Sequence, residues 1–216
     1  MPRSSPALLE PRKWPVQARS TASVDAILEA TIQVLLSVGK ERLTTTRVAQ
    51  RAGVSVGTLY QYFPNKSALL QSVLQRHLSR VAAALEEACI QQRGSSLQSM
   101  AAALINAFLD AKMQDIKTSV ALYAVSSDVD GAKIVRHTSK RAHKAIVEML
   151  ATAREPLRKD PQLVATLLQS VMTGVSRRLL ESPAPEKHVE PLRHELIVLA
   201  TVYLEAAAKP PHPPAP

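Results

Sequence analysis

Cysteine is nearly absent. Cys89 stands alone among 216 residues, which excludes an internal disulfide framework and fits a reducing compartment. Glycine is scarce, with six residues, while Ala, Leu, Glu, Gln, Lys and Arg abound; that balance favours helix nearly throughout. No stretch alternates in a strand-like way for long. Long apolar runs are missing too. The N-terminus has no apolar signal core, and the run from Leu163 to Leu180 is interrupted by Gln169, Ser170, Thr173 and Arg177. The expectation is a soluble cytoplasmic chain with no membrane span. Acidic residues are outnumbered, 18 against 27 basic, for a formal net charge of +9. A polyanionic partner fits that balance, and so does plain solubility.

Sequence signatures of catalysis and metal binding are also lacking. His137 and His143 are six apart, as are His188 and His194, a spacing that does not place either pair on one helical face. No HExxH, CxxC, GxSxG, GxGxxG or Walker loop occurs. The sequence therefore predicts no enzyme, no cofactor and no metal.

What is present is a helical chain with one dense stretch. Hydrophobic residues make up 46% of it, an ordinary globular share. Residues 44–63 hold two short helical patterns separated by Ala52-Gly53-Val54. Thr44 can cap the first, with Val48 and Ala49 as its apolar anchors, and Gly53 offers the freedom a turn after a helix needs. Ser55 can cap the second, and Pro64 ends it. Two short helices around a Gly turn form a helix-turn-helix, whose second helix enters the DNA major groove. At 100° per residue Leu59 and Phe63 share the inner side, while Gly57, Thr58, Tyr60 and Gln61 face out, with Val56 at the boundary and Tyr62 on a flank. That outer set is small or hydrogen-bonding and uncharged, suited to base edges and phosphates. Three of the chain's seven aromatic residues, Tyr60, Tyr62 and Phe63, are concentrated here.

The run AGVSVGTLYQYFPNK, within a match covering about 20–80, strongly resembles the DNA-binding domain of the TetR family of one-component bacterial regulators. The resemblance implies an all-α fold: a three-helix helix-turn-helix domain over 20–66, then a helical ligand-binding and dimerisation domain over 67–208. It implies a homodimer that binds a near-palindromic double-stranded operator and releases it when an unknown small-molecule effector binds, most simply as a repressor. An activator, or a non-specific nucleic-acid binder, is the alternative. Carried over by position, Thr45 and Thr46 lie where the crossing helix meets DNA. Val56, Gly57, Thr58, Tyr60 and Tyr62 match the reader, Lys66 matches a phosphate-binding lysine, and Ser55, the cap of the reader helix, is counted with them. Gln61 joins them from helical geometry. Most family members have histidine at the place of Tyr62, so any positive charge there is lost. A basic residue is frequent near Thr46, and Arg47, one place on, is a substitute.

Around this stretch the chain reads as follows. Residues 1–19 hold four prolines, four basic residues and the only tryptophan, Trp14. This reads as a flexible basic arm that reaches the duplex, or as a leader whose charges aid solubility. Ser20, Thr21 and Ser23 are candidate caps for a helix over 24–38, with Ile27, Ala30, Val34 and Val38 at helical spacing and a stop at Gly39. Residues 66–91 form a long helix. Further helices are expected over 97–115, 117–127, 132–154, 161–181 and 190–208, with a loop at 182–188. Residues 209–216 are a Pro-rich tail expected to be disordered.

In the regulatory half, Met100, Leu104, Phe108, Met113, Tyr123 and Met149 are candidates to line a pocket, with plain core packing as the rival reading of each. Leu167, Val171, Gly174, Val175, Leu196, Leu199 and Tyr203 are candidates for the dimer interface. The family pairs its last two long helices with those of a second subunit, and the helix over 161–181 has an apolar face wider than one stripe. The basic run Arg136, His137, Lys140, Arg141, His143 and Lys144 reads as a solvated face or as an anion site.

Overall fold

The computed structural model describes residues 18–126 and 131–208, without the side chains of residues 18–20 and 132. The expected arm (apart from residues 18 and 19) and the Pro-rich tail lie outside the described residues. Among these residues the secondary structure is helical: α1 Ala18–Arg42, α2 Thr45–Ala52, α3 Val56–Tyr62, α4 Lys66–Gln91, α5 Leu97–Met113, α6 Ile116–Val125, α7 Gly131–Leu150, α8 Pro161–Leu180 and α9 Pro185–Ala208. The all-α expectation holds.

The helices fall into two compact units. One comprises the described residues of Met1–His77 with Lys117–Val135, the other those of Leu78–Ile116 with Arg136–Pro216. The division falls inside α4, after His77, and α6 belongs with the first unit. Its Ser119 hydroxyl lies 3.4 Å from Nε2 of His77, which is buried on α4.

In the first unit α1 is a core helix. Ile27, Ala30, Val34 and Leu35 are buried, and α1 packs on α2. Its stretch Thr21–Arg42, 22 residues long, is by length and composition apolar enough to cross a membrane, an 18-residue window within it having a mean hydropathy of 1.4. The buried flank accounts for that hydropathy, as the core needs it. The chain is already helical at Ala18, the first described residue, so Ser20, Thr21 and Ser23 sit inside the helix rather than at its start. Gly39, at φ 75° and ψ 169°, breaks it where a stop is expected. A left-handed φ of this kind is cheap only for glycine.

α2 and α3 are fixed by local capping. The Thr44 hydroxyl accepts from the Arg47 N–H at 3.3 Å. Gly53, at φ 69° and ψ 27°, closes α2 with its N–H on the last turn. Ser55 Oγ accepts from the Thr58 N–H at 2.9 Å and opens α3. Phe63 leaves the helix at φ −124°, and Asn65 Oδ1 accepts from the Ala68 N–H at 2.8 Å to start α4. Val48, Ala49, Leu59 and Phe63 are all buried, so both short helices are held from one side by the same core.

The second unit is built on one apolar cluster from α4, α5, α7, α8 and α9, with Leu85, Met100, Leu104, Ile146, Leu168 and Leu204 among its buried members. The turn between α4 and α5 is pinned by Gly94, whose N–H donates to Thr152 Oγ1 at 3.0 Å and whose carbonyl accepts from Arg154 Nε at 3.1 Å. Asp160 caps α8, its carboxylate accepting from the Gln162 N–H at 3.0 Å, and Pro161 takes the first helical position. α9 begins at Pro185, five residues before the expected start at Glu190, and runs through Pro191. Most of the expected loop over 182–188 is therefore helix. A proline costs nothing at a helix start, where the missing N–H has no partner anyway.

Candidate nucleic-acid interface

The outward side of α3 is open. Val56 is 36% exposed and Tyr60 is 42% exposed, while Leu59 on the opposite side is fully buried. Ser55, Gly57 and Gln61 are exposed; Thr58 and Tyr62 are half-buried. On α2, Thr46 and Arg47 are exposed and Thr45 is half-buried. All eleven residues expected to meet DNA thus lie in the first unit, ten of them on or beside the two short helices and Lys66 at the start of α4. No acidic side chain interrupts the run from Leu43 to Lys66.

Several of these side chains already have partners. Thr45 Oγ1 lies 3.0 Å from Tyr60 Oη, joining the crossing helix to the reader. Ser55 Oγ lies 2.8 Å from Thr58 Oγ1, so this pair serves the α3 cap first. Arg47 Nη1 donates to the Arg42 carbonyl at 2.7 Å, which folds the guanidinium back to the end of α1. Lys66 Nζ donates to the Lys40 carbonyl. Gln33 Oε1 accepts from Arg51 Nε at 2.6 Å, and Arg76 pairs with Asp25 and Glu29 at 3.4 and 3.7 Å. Helical periodicity finds which residues face out. It does not find the cross-helix bonds, which depend on the angle of the turn.

The pocket candidates separate. Met100, Leu104, Phe108 and Met149 are buried together in the core of the second unit. Met113 is half-buried near the end of α5, and Tyr123 is half-buried in the first unit. The interface candidates separate as well. Leu196 is only 4% exposed and belongs to the chain's own core, whereas Leu199 is 49% exposed. Leu163, which the sequence places on the wide apolar face of α8, and Val202, which it does not single out, are each 60% exposed on the same two helices. A hollow of about 410 Å³ lies along α8 and α9, lined by Leu167, Val171, Leu199, Val202 and Tyr203 among others. Gly174 is exposed with nothing within 4 Å of the place a Cβ would occupy, so packing within the chain does not require glycine there. In the basic run of α7, Arg141 pairs with Glu86 at 2.6 Å and His143 lies between the Gln162 and Gln169 oxygens at 2.9 and 3.1 Å. These contacts favour the solvated, structural reading of that face. Among the described residues no group of three or more His, Cys, Asp or Glu is placed to hold a metal ion.

A short helix-turn-helix with an open, unacidic reader, followed by an all-helical second unit, defines a DNA-binding regulator of the helix-turn-helix class. Comparison with known proteins makes the assignment specific. Residues 27–73 match the model for bacterial regulatory proteins of the tetR family, and residues 96–204 match the tetracyclin repressor-like C-terminal domain. The chain belongs to the TetR family. Over 64 residues it is 44% identical to the HTH-type transcriptional repressor KstR of Mycolicibacterium smegmatis, a match spanning 30% of this chain and 31% of that protein. Over 51 residues it is 45% identical to the nucleoid occlusion factor SlmA of Haemophilus ducreyi, spanning 23% of this chain and 25% of that one. The alignments thus cover about a third or less of the length of these curated relatives. A TetR-family transcriptional regulator from Mesorhizobium loti has the same fold, with a TM-score of 0.67 at 20% identity, covering 88% of this chain and 96% of that one.

Proposed function

We propose that the protein is a homodimeric transcriptional repressor that binds a near-palindromic operator through α2 and α3 and is released by a small-molecule effector. The observation that carries the DNA half is the sidedness of α3. Leu59 and Phe63 are sealed in the core, and Val56, Gly57, Tyr60 and Gln61 are left open. Residues of that kind reach phosphates and base edges when the helix enters the major groove. Lys66 adds a cation at the end of the same surface.

The dimer is supported by the open apolar surface of α8 and α9. Leu163, Leu167, Leu199 and Val202 are all at least 44% exposed on neighbouring helices. A surface of this kind on two adjacent helices is characteristic of a self-association site. Two-fold pairing places two readers on one duplex, and half-sites then fall about one helical turn apart or a multiple of it. Repression follows the name of the mycobacterial relative, whose likeness lies in the DNA-binding part. The effector acts on the helical half as the family's pattern implies. It must bind the DNA-competent and released states with different affinity, since otherwise it shifts nothing.

Selecting genomic fragments bound by the full chain tests this reading. Enrichment of a two-fold symmetric sequence, lost in Tyr60→Ala while the dimer persists, is the expected result. Tyr60→Ala that still enriches the same sequence removes the reader assignment. Fragments bound with no shared sequence leave only non-specific nucleic-acid binding.

A further inference from the structure

Thr45 and Tyr60 stand on different helices, 15 residues apart, with their hydroxyl oxygens 3.0 Å from each other at the surface. A hydroxyl has one proton and two acceptor lone pairs. One of the pair's two protons is therefore committed to the bond between them, whichever group donates it. A single proton remains for an outside acceptor, and it belongs to the hydroxyl that accepts the inner bond. Tyr60 is the more open of the two and, as a phenol, the stronger acid and stronger donor. A phosphate oxygen, the strongest acceptor on a duplex, draws the stronger donor.

We infer that Thr45 and Tyr60 form one relay, in which the Thr45 hydroxyl donates to Tyr60 Oη and the Tyr60 hydroxyl donates to a single DNA phosphate. This rests on the reading that α2 and α3 meet DNA, and it refines that reading. Thr45 becomes a positioning residue that acts through Tyr60, not a separate phosphate contact. The inner bond fixes the phenol's direction before DNA arrives, and donation into the phenol oxygen strengthens the phenol as a donor. Both groups are neutral, so neither releases counterions, and a phosphate contact carries no base preference.

The test is a double-mutant cycle on the full chain, with a duplex that the unaltered protein enriches from a random-sequence pool. The variants are Thr45→Val, Thr45→Ser, Tyr60→Phe and Thr45→Val with Tyr60→Phe. Loss of a hydrogen bond to a charged group predicts about tenfold weaker binding for Tyr60→Phe and about fivefold for Thr45→Val. The double variant should lie within about twofold of Tyr60→Phe, because deletions along one relay do not add. Thr45→Ser should bind within about twofold of the unaltered protein, and the salt dependence should be the same in all four. Thermal melting confirms that each variant is folded; because Thr45→Ser keeps the hydroxyl, it also separates that group from the packing of the threonine methyl. A double variant whose loss equals the product of the single losses overturns the relay in favour of two independent contacts. So does a Thr45→Val variant that binds as well as the unaltered protein while Tyr60→Phe does not. Undiminished binding in every variant has a different meaning: Tyr60 and Thr45 then do not touch DNA, and the reader assignment itself falls.

Discussion

Arg193 Nη2 on α9 donates to Asp110 Oδ1 on α5 at 2.7 Å, joining residues 83 apart in the chain. The same guanidinium donates through Nη1 to Asn106 Oδ1 at 3.0 Å and through Nε to Glu190 Oε1 at 3.2 Å. Arginine's planar fork suits this, since three donors leave it in fixed directions. The side chain of Arg193 is only 16% exposed, against 68% for Asp110. The arginine is thus the partner whose loss leaves a gap.

Arg193→Ala should therefore destabilise the second unit by about 1–3 kcal/mol, through lost packing and lost charged hydrogen bonds together. Asp110→Asn should cost about 1 kcal/mol or less, because an exposed ion pair is well screened. Urea unfolding of both variants gives the comparison. Equal losses would mean that the ion pair, rather than the anchored guanidinium, holds α9 to α5.

Lys66 has three donor protons, and one goes to the Lys40 carbonyl. The remaining two are available to a phosphate, so structural and DNA-binding roles are compatible on one side chain. Lys66→Gln retains a donor for the carbonyl and removes the charge. Its melting temperature should barely move, while DNA binding weakens and the slope of log affinity against log salt falls by about one phosphate's share. Lys66→Met should lose stability as well. A salt slope unchanged in Lys66→Gln would confine this lysine to its bond with Lys40.

The helix-turn-helix was legible because its determinants are local. Thr44, Gly53 and Ser55 each act on a backbone group within four residues, and Leu59 and Phe63 are one helical turn apart. Helix ends elsewhere were less legible. Ser20, Thr21 and Ser23 have cap chemistry, yet serine and threonine are only weakly disfavoured inside a helix, and α1 runs through them. Prolines at 183 and 185 suggest a loop, yet Pro185 opens α9. On α9 both sides are apolar, so periodicity could not tell that Leu196 faces inward and Leu199 outward. The bond between Thr45 and Tyr60 was invisible to any pattern along the chain, because it depends on the angle at Gly53.

The open surface of α8 and α9 gives a sharper test of association than any single contact. Leu199 is exposed beside Val202 and lines the hollow shared with Leu167. Leu199→Glu places a carboxylate in that surface. In a lone subunit it faces water and costs little. In a paired one it is buried without a partner, which weakens association by at least about 100-fold. Sedimentation should show monomers at micromolar concentration with helix content unchanged, and operator binding should fall with the dimer. A Leu199→Glu protein that sediments like the unaltered one would move the interface elsewhere.

Burial leaves a mark on two ionisable groups of the second unit. It pushes the Cys89 thiol up to about 12, so this cysteine should resist alkylation until the chain unfolds. It lowers the Lys112 ammonium, near the end of α5, from 10.5 to about 8. A depressed pKa on a base means that the folded state binds fewer protons than the unfolded state between pH 8 and 10.5. Stability contributed at this position therefore rises with pH through that window and is lowest below it. Lys112→Met removes the cost of burying a cation. At pH 7 it should raise the unfolding free energy by about 1–3 kcal/mol, the upper figure being the full linkage value. That advantage should shrink steadily above pH 8 and be nearly gone by pH 10.5. Comparing the variant with the unaltered protein at each pH cancels the titration of other groups. A gain that does not change with pH would mean that methionine merely packs better, and that the lysine at 112 is charged and solvated in the folded protein.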